Sequence, residues 1–255
     1  MRTVARRLIV ALGLVAALTI IDRRAAWADR VVVVPETQAT VEGNSENAFP
    51  FNCSLLALAS QRYQQVYLGS EVGSGSITRI AFRPDSLIPS AFAPTTIPGV
   101  TITLSSTTAA PDSLSAIFAA NVGADVTTVF SGSLTLSSAD VGGPPRHFDI
   151  VIPLGAPFRF DATTGRNLLL DVTIPTCAAT ARFDAQNTAG DPVSRATTIA
   201  SGAGSGTADL VDTVGLVTQF TLAVPTAAPT IGPIGLLACA VILVSVGLWS
   251  IRRYA

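Results

Sequence analysis

The chain has 255 residues and contains no lysine; it has one histidine and one methionine. All of its basic charge is arginine. Between Asp29 and Ala223, nine arginines stand against sixteen aspartates and glutamates, an excess of seven negative charges. That balance excludes the basic footprint that nucleic acid demands and gives no hold on anionic lipid. It suits a soluble surface outside the cell. A hydrolytic triad has a single candidate base, His147, and the chain has no G-x-S-x-G segment around a nucleophile. His147 stands in Pro144-Pro145-Arg146-His147-Phe148-Asp149 and reads as a surface residue at the start of a strand. Structural zinc wants four ligands, which one histidine and three cysteines supply poorly. Aromatic residues are few: both tryptophans, Trp27 and Trp249, fall in terminal apolar segments. Tyr63, Tyr67 and phenylalanines remain for a sugar-stacking platform, with Tyr63 and Tyr67 a possible ligand surface around Gln64-Gln65; the other reading packs Tyr67 in a strand and sets Tyr63 at the edge of a turn.

The rest of the chemistry is equally sparse. Asp149, Asp161, Asp171 and Asp184 all lie near strands, but nothing in their spacing makes a catalytic carboxylate pair. Asp161, before Thr163-Thr164-Gly165, reads as a turn-fixing residue. The oxygen-rich stretches Asp184-Ala185-Gln186-Asn187 and Asp209–Asp212 match neither an EF-hand loop nor a calcium-binding repeat. Gly202-Ala203-Gly204-Ser205-Gly206 lacks the lysine and the strand–helix setting of a phosphate loop. The expectation is a protein that is not an enzyme, with no catalytic residues, no metal and no cofactor.

What is abundant sits at the ends. Arg2, Arg6 and Arg7 precede the apolar run Leu8–Ile21, and Ala26-Trp27-Ala28 follows as an A-x-A cleavage site. Residues 1–28 thus read as a secretory signal peptide, cleaved by signal peptidase at Ala28. The charges of Asp22-Arg23-Arg24 leave an uncleaved N-terminal anchor as the alternative. At the other end, Gly232–Ile251 carries no charge, and about 20 apolar residues suffice for a helix to cross a bilayer. Arg252 and Arg253 follow, which places the tail 252–255 in the cytoplasm and the preceding chain outside. Residues 224–231, rich in Pro, Ala and Thr, read as an extended linker.

A signal peptide, an exported middle, a Pro-containing motif, an apolar helix and a terminal arginine pair together resemble the sorting signals of the PEP-CTERM class. The matching residues are Val224-Pro225-Thr226, the Ile/Val-Pro-Thr form of the motif, then Gly232–Ile251 and Arg252-Arg253. The resemblance implies recognition by an exosortase-type membrane transpeptidase in a Gram-negative bacterium. It also implies an inner-membrane intermediate with the domain in the periplasm, then transfer to the cell surface or extracellular matrix. A permanent C-terminal anchor on a periplasmic protein is the alternative reading of the same tail.

Residues 29–223 make one domain of ample size for a core. Cys239 falls in the apolar span and reads as a small apolar residue; Cys53 and Cys177 are alone in the exported part. In an oxidising compartment they read as a disulfide, with two buried thiols as the rival. Short strand-like runs recur: Val31–Val34, Gln65–Gly69, Ser76–Arg83, Val100–Ser105, Thr127–Ser137, His147–Pro153, Asn167–Ile174, Thr180–Ala185 and Leu216–Ala223. Gly73-Ser74-Gly75 reads as a hairpin connection, and Asp112–Asn121 as a helix capped by Asp112 with Leu114, Ile117 and Phe118 on its apolar face. The predicted fold is all-β: a two-sheet antiparallel sandwich, jelly-roll-like, with one short helix. Segments such as Arg62-Tyr63-Gln64-Gln65-Val66-Tyr67, Ile80-Ala81-Phe82-Arg83-Pro84-Asp85, Phe118-Ala119-Ala120-Asn121-Val122-Gly123, Val129-Phe130-Ser131-Gly132 and Asn167-Leu168-Leu169-Leu170-Asp171-Val172 resemble a family of uncharacterised secreted proteins. Many of its members end in PEP-CTERM-like tails. That resemblance implies secretion and a β-sandwich, and no established activity. Binding to exopolysaccharide through a carbohydrate-binding surface is the second functional expectation.

Overall fold

Period-two alternation builds the strands. Between residues 92 and 107, Ile97, Val100, Ile102 and Leu104 are buried while Thr101 and Thr103 are half-exposed, as a half-buried strand requires. The computed structural model describes residues 26–88, 90–226, 249 and 252. The predicted leader up to residue 25, the span 232–251 apart from Trp249, and Arg253 lie outside the described residues. Among the described residues no helix is long and apolar enough to cross a membrane.

The described residues are mostly β, antiparallel and sandwich-like. Its strands are β1 (Ala26–Val34), β2 (Ser45–Asn47), β3 (Gln61–Tyr67), β4 (Gly75–Phe82), β5 (Phe92–Thr107), β6 (Thr127–Ser138), β7 (Ile150–Phe160), β8 (Asn167–Ile174), β9 (Phe183–Asn187), β10 (Val193–Thr197), β11 (Leu210–Asp212), β12 (Val214–Leu216) and β13 (Thr218–Thr226). They form a four-stranded sheet ordered β1-β13-β4-β7, a six-stranded sheet ordered β11-β10-β3-β8-β5-β6, and a small sheet ordered β12-β9-β2. Residues Asp29–Val224 make one compact unit.

The core lies between the two large sheets. Ile77, Ile80 and Phe82 of β4, Ile150 and Ile152 of β7, and Phe220 and Leu222 of β13 come from one side. Tyr63 and Tyr67 of β3, Ile102 and Leu104 of β5, and Leu168, Leu170 and Val172 of β8 come from the other. Tyr67 meets Phe220 edge-on, with ring centroids 5.0 Å apart, and its hydroxyl lies 2.9 Å from Thr218 Oγ1. The outer face of the six-stranded sheet is covered as well: Val66, Leu169 and Ala196 pack with Leu114 and Phe118. This second layer explains why Asn167–Ile174 reads as a nearly unbroken apolar run.

Several predicted elements change. Gly73-Ser74-Gly75 is not a hairpin: β3 and β4 belong to different sheets, joined by the one-turn helix Gly69–Val72. Arg30 closes that crossover by donating to Val72 O and Ser74 O. The helix expected over Asp112–Asn121 shrinks to Phe118–Asn121. Asp112 takes a left-handed φ of 61° and accepts from Gly190 N instead of capping a helix, and Ile117 is exposed and bridges to Thr207. Phe118 and Leu114 face the sheet because the segment is pinned by hydrogen bonds of Asn121 to Ser115 and Gln64. The strand expected from His147 begins at Ile150, and the one expected from Thr180 begins at Phe183. The third sheet, β2, β10 and β11 are absent from the sequence reading. At three residues each, β2 and β11 are too short to show a period.

Cys53 and Cys177 form a disulfide with Cα atoms 5.4 Å apart across 124 residues of chain. It ties the turn Cys53–Leu56 to the segment after β8. Closing so long a loop restricts the unfolded chain by about 4–5 kcal/mol on the entropy model. The double variant Cys53→Ala/Cys177→Ala is expected to lose about 2–5 kcal/mol in urea unfolding; an unchanged midpoint would contradict a stabilising bridge.

Candidate functional site

The proposed ligand surface at Tyr63 and Tyr67 does not exist as a surface. Both side chains are fully buried on the inner face of β3, and burial pushes both phenols well above their ordinary range. The Tyr63 hydroxyl donates to Gln65 Oε1 at 2.5 Å, and Gln65 in turn bonds the main chain of Leu216 through both its oxygen and its nitrogen. Arg195 Nη1 reaches Asn47 Oδ1 at 2.6 Å and pairs with Asp212 through Nε and Nη2. The tyrosines are therefore polar-tipped core residues, and aromatic alternation alone does not distinguish them from a platform.

His147 is exposed, and its backbone bonds Val141 O. The four aspartates near strands serve separate local structures. Asp149 accepts from Ser138 Oγ and Ala139 N. Asp161 caps the turn Ala162–Thr164, accepting from Thr163 N at 3.0 Å, and Gly165 follows at φ 71°, the conformation a glycine takes without strain. Asp171 receives Arg62 through Nε and Nη2 and Gln64 through Nε2. Arg62 also lies over the Phe118 ring, 4.7 Å from its centroid. Asp209 Oδ2 accepts three successive backbone N–H groups, from Ile199, Ala200 and Ser201. Those donors hold its carboxyl down to about 2.

Asp184 is different. It is fully buried, with Glu42 and Asp85 beside it, and the ligand oxygens of the three lie within 4.8 Å of one another. That spacing is compatible with calcium, whose oxygen ligands sit at about 2.3–2.6 Å. These three form the one group among the described residues able to converge on a metal ion. Glu42 accepts from Ser86 N through Oε1, while its enclosed Oε2 has no hydrogen-bond partner. The positive charge at this spot is nevertheless the protein's own. Arg83, only 1 % exposed, pairs with Asp184 at 2.6 Å and donates to Gln38 O and Val41 O. Its guanidinium also sits 4.8 Å from the Phe148 ring centroid. Burial pushes the Asp184 carboxyl up to about 6 against the pull of Arg83, with Glu42 adding to the rise; burial raises Asp85 as well. The sequence reading missed Glu42 and Asp85. The signal was present in Arg83-Pro84-Asp85, where two opposite charges interrupt the end of a buried strand.

The residues expected to carry the sorting motif also have a place. Val224-Pro225-Thr226, the first residues of the expected linker 224–231, are the last three residues of β13. Val224 packs against the core, Pro225 is exposed and Thr226 is half-exposed. The described pairing of β13 with β4 ends at Ala223, so the proline, which has no N–H to give, stands beyond that ladder. Ala26 and Ala28, expected to mark the cleavage site, lie in the first three residues of β1, and Asp29–Val34 make up the rest of it.

A polar cleft of about 310 Å³ opens where the β5–β6 and β7–β8 connections meet. Ser106, Asp125, Arg159, Asp161, Thr164 and Arg166 line it. Gly123 lets its wall close: a Cβ there would stand 2.0 Å from Ser106 O. No family profile, curated protein or solved structure matches this chain.

The buried charges set a pH dependence. The folded state holds a proton on Asp184 up to about pH 6, whereas an unfolded aspartate releases it near pH 4. Between those values the native state binds more protons, so stability to urea is expected to fall as pH rises from about 4 to about 6. Asp184→Asn is expected to flatten that decline, and an unaltered slope would contradict it. Arg83→Met, which leaves Asp184 without its partner, is expected to cost about 3–5 kcal/mol at neutral pH.

Proposed function

We propose that this chain is an exported, non-enzymatic cell-surface or extracellular-matrix protein. In this reading signal peptidase removes residues 1–28, and an exosortase-type transpeptidase then reads Val224-Pro225-Thr226, the following apolar helix and Arg252-Arg253 at the inner membrane. The observation that carries the reading is the Cys53–Cys177 disulfide, which belongs to an oxidising compartment. The absence of lysine and the acidic balance of the exported part support it. So does the polar chemistry: each carboxylate described above as bonded holds its own fold together.

The fold we infer is a jelly roll. In support, number β1, β3 to β8 and β13 as eight strands in chain order; the two large sheets then run 1-8-3-6 and 2-7-4-5. That is the order produced when two Greek keys wrap a sandwich, with β10 and β11 extending one edge. Such a fold hosts many unrelated functions, so the function rests on the site. A second reading, a carbohydrate-binding module in exopolysaccharide, is favoured by the polar cleft rather than by the tyrosines.

The test is sorting in the native host. Pro225→Ala and the pair Arg252→Ala/Arg253→Ala are compared with the parent by cell fractionation and immunoblot. The expected result is parent protein at the surface or in the medium, and both variants accumulating in the inner membrane. Parent protein retained in the inner membrane alongside the variants would favour a permanent anchor and overturn the sorting route.

A further inference from the structure

Arginine is the only strong cation in the exported part, and most copies are committed. Arg62, Arg83, Arg146, Arg182 and Arg195 hold Asp171, Asp184, Asp140, Glu46 and Asp212. Arg30 holds two main-chain carbonyls. That leaves Arg79, Arg159 and Arg166, and the last two line the same cleft. Neither makes an ion pair or a side-chain hydrogen bond among the described residues, although Arg159 lies within electrostatic reach of Asp161. Two uncommitted guanidinium forks in one concavity suit a carboxylate, which matches the planar fork.

The cleft also offers acceptors. Asp125 uses Oδ1 to take Ser106 N. Asp161 uses Oδ1 to take Thr163 and Ser74, and these bonds hold its carboxyl below the ordinary range. Each keeps its Oδ2 for a donor from outside. A fitting ligand therefore carries an anionic carboxylate flanked by hydroxyl donors. Neutral sugar leaves both forks unused, and no aromatic ring lines the cleft to stack on it. A phosphate chain brings no hydroxyl donors for Asp125 and Asp161. We propose that this cleft binds uronic acid units of an acidic polysaccharide, with Arg159 and Arg166 on the carboxylate and Asp125 and Asp161 on the ring hydroxyls. The proposal rests on the surface-and-matrix reading for where the ligand is met, while the chemistry rests on the cleft alone.

The test is affinity electrophoresis of the mature protein, purified from native cells, through gels containing polygalacturonate, dextran or inorganic polyphosphate. Retardation is expected in polygalacturonate alone and is expected to weaken with salt. Arg159→Gln and Arg166→Gln should each reduce apparent affinity tenfold or more, with melting temperatures unchanged because both side chains are exposed. Arg79→Gln, the remaining uncommitted arginine outside the cleft, should leave binding intact. No retardation in polygalacturonate would overturn the proposal, as would equal retardation in dextran or polyphosphate, or an Arg79→Gln loss matching that of Arg166→Gln. Fractionation reports on export independently, so the two readings fail separately.

Discussion

The structure depends on burying the inner faces of its two large sheets against each other. Apolar side chains from β4, β7 and β13 meet those from β3, β5 and β8 in one continuous core. At about 1.5–3 kcal/mol for each large apolar side chain removed from water, this layer is the main opposition to chain entropy. The other features follow from it. The strands must alternate, the connections must cross between sheets, and polar groups carried inward must find partners there.

Those partners are supplied with economy. Asn47 donates to the Tyr63 hydroxyl of β3 and accepts from Arg195, which also pairs with Asp212, while Arg62, Gln64 and Asp171 clamp the covering segment at Phe118 onto the outer face. Arg83 and Asp184 fasten the loop before β2 to β9. Each uses an arginine fork where lysine would offer a point charge on a flexible stem. A lysine-free chain that spends its arginines on internal braces keeps a mildly acidic exterior, and the two forks left in the polar cleft become its conspicuous cationic feature.

Legibility in the sequence followed periodicity. β5, β6 and β8 were readable because each is long enough to show alternation or an unbroken apolar run. Ile80 and Phe82 face the core as expected. The Asp112–Asn121 helix was misread because Leu114 and Phe118 satisfy helical spacing while tertiary pairing at Ile117 and Asn121 decides the backbone. The two readings of Tyr63 and Tyr67, ligand surface or packed side chains, stay open in the sequence because it does not say which face of a half-polar strand is covered; the structure buries both. The cleft was illegible for a related reason: Ser106 and Asp125 come from the end of β5 and the β5–β6 connection, Arg159 and Arg166 from the end of β7 and the β7–β8 connection. The segments Arg62–Tyr67, Phe118–Gly123 and Asn167–Val172 do meet in space, as one hydrogen-bonded brace.

In the proposed reading the tail directs a disulfide-closed sandwich outward, and Val224-Pro225-Thr226 stand at the end of β13. The central claim of that reading is that the two ends are processed and the middle is the working protein. The most direct measurement is the intact mass, with terminal peptides, of the protein recovered from fractionated native cells. The account predicts a chain that begins at Asp29, carries the Cys53–Cys177 bridge, ends near Val224–Thr226 and lies outside the inner membrane. Recovery of the peptide ending Arg252-Arg253-Tyr254-Ala255 from the membrane fraction, with no shortened form elsewhere, would contradict it.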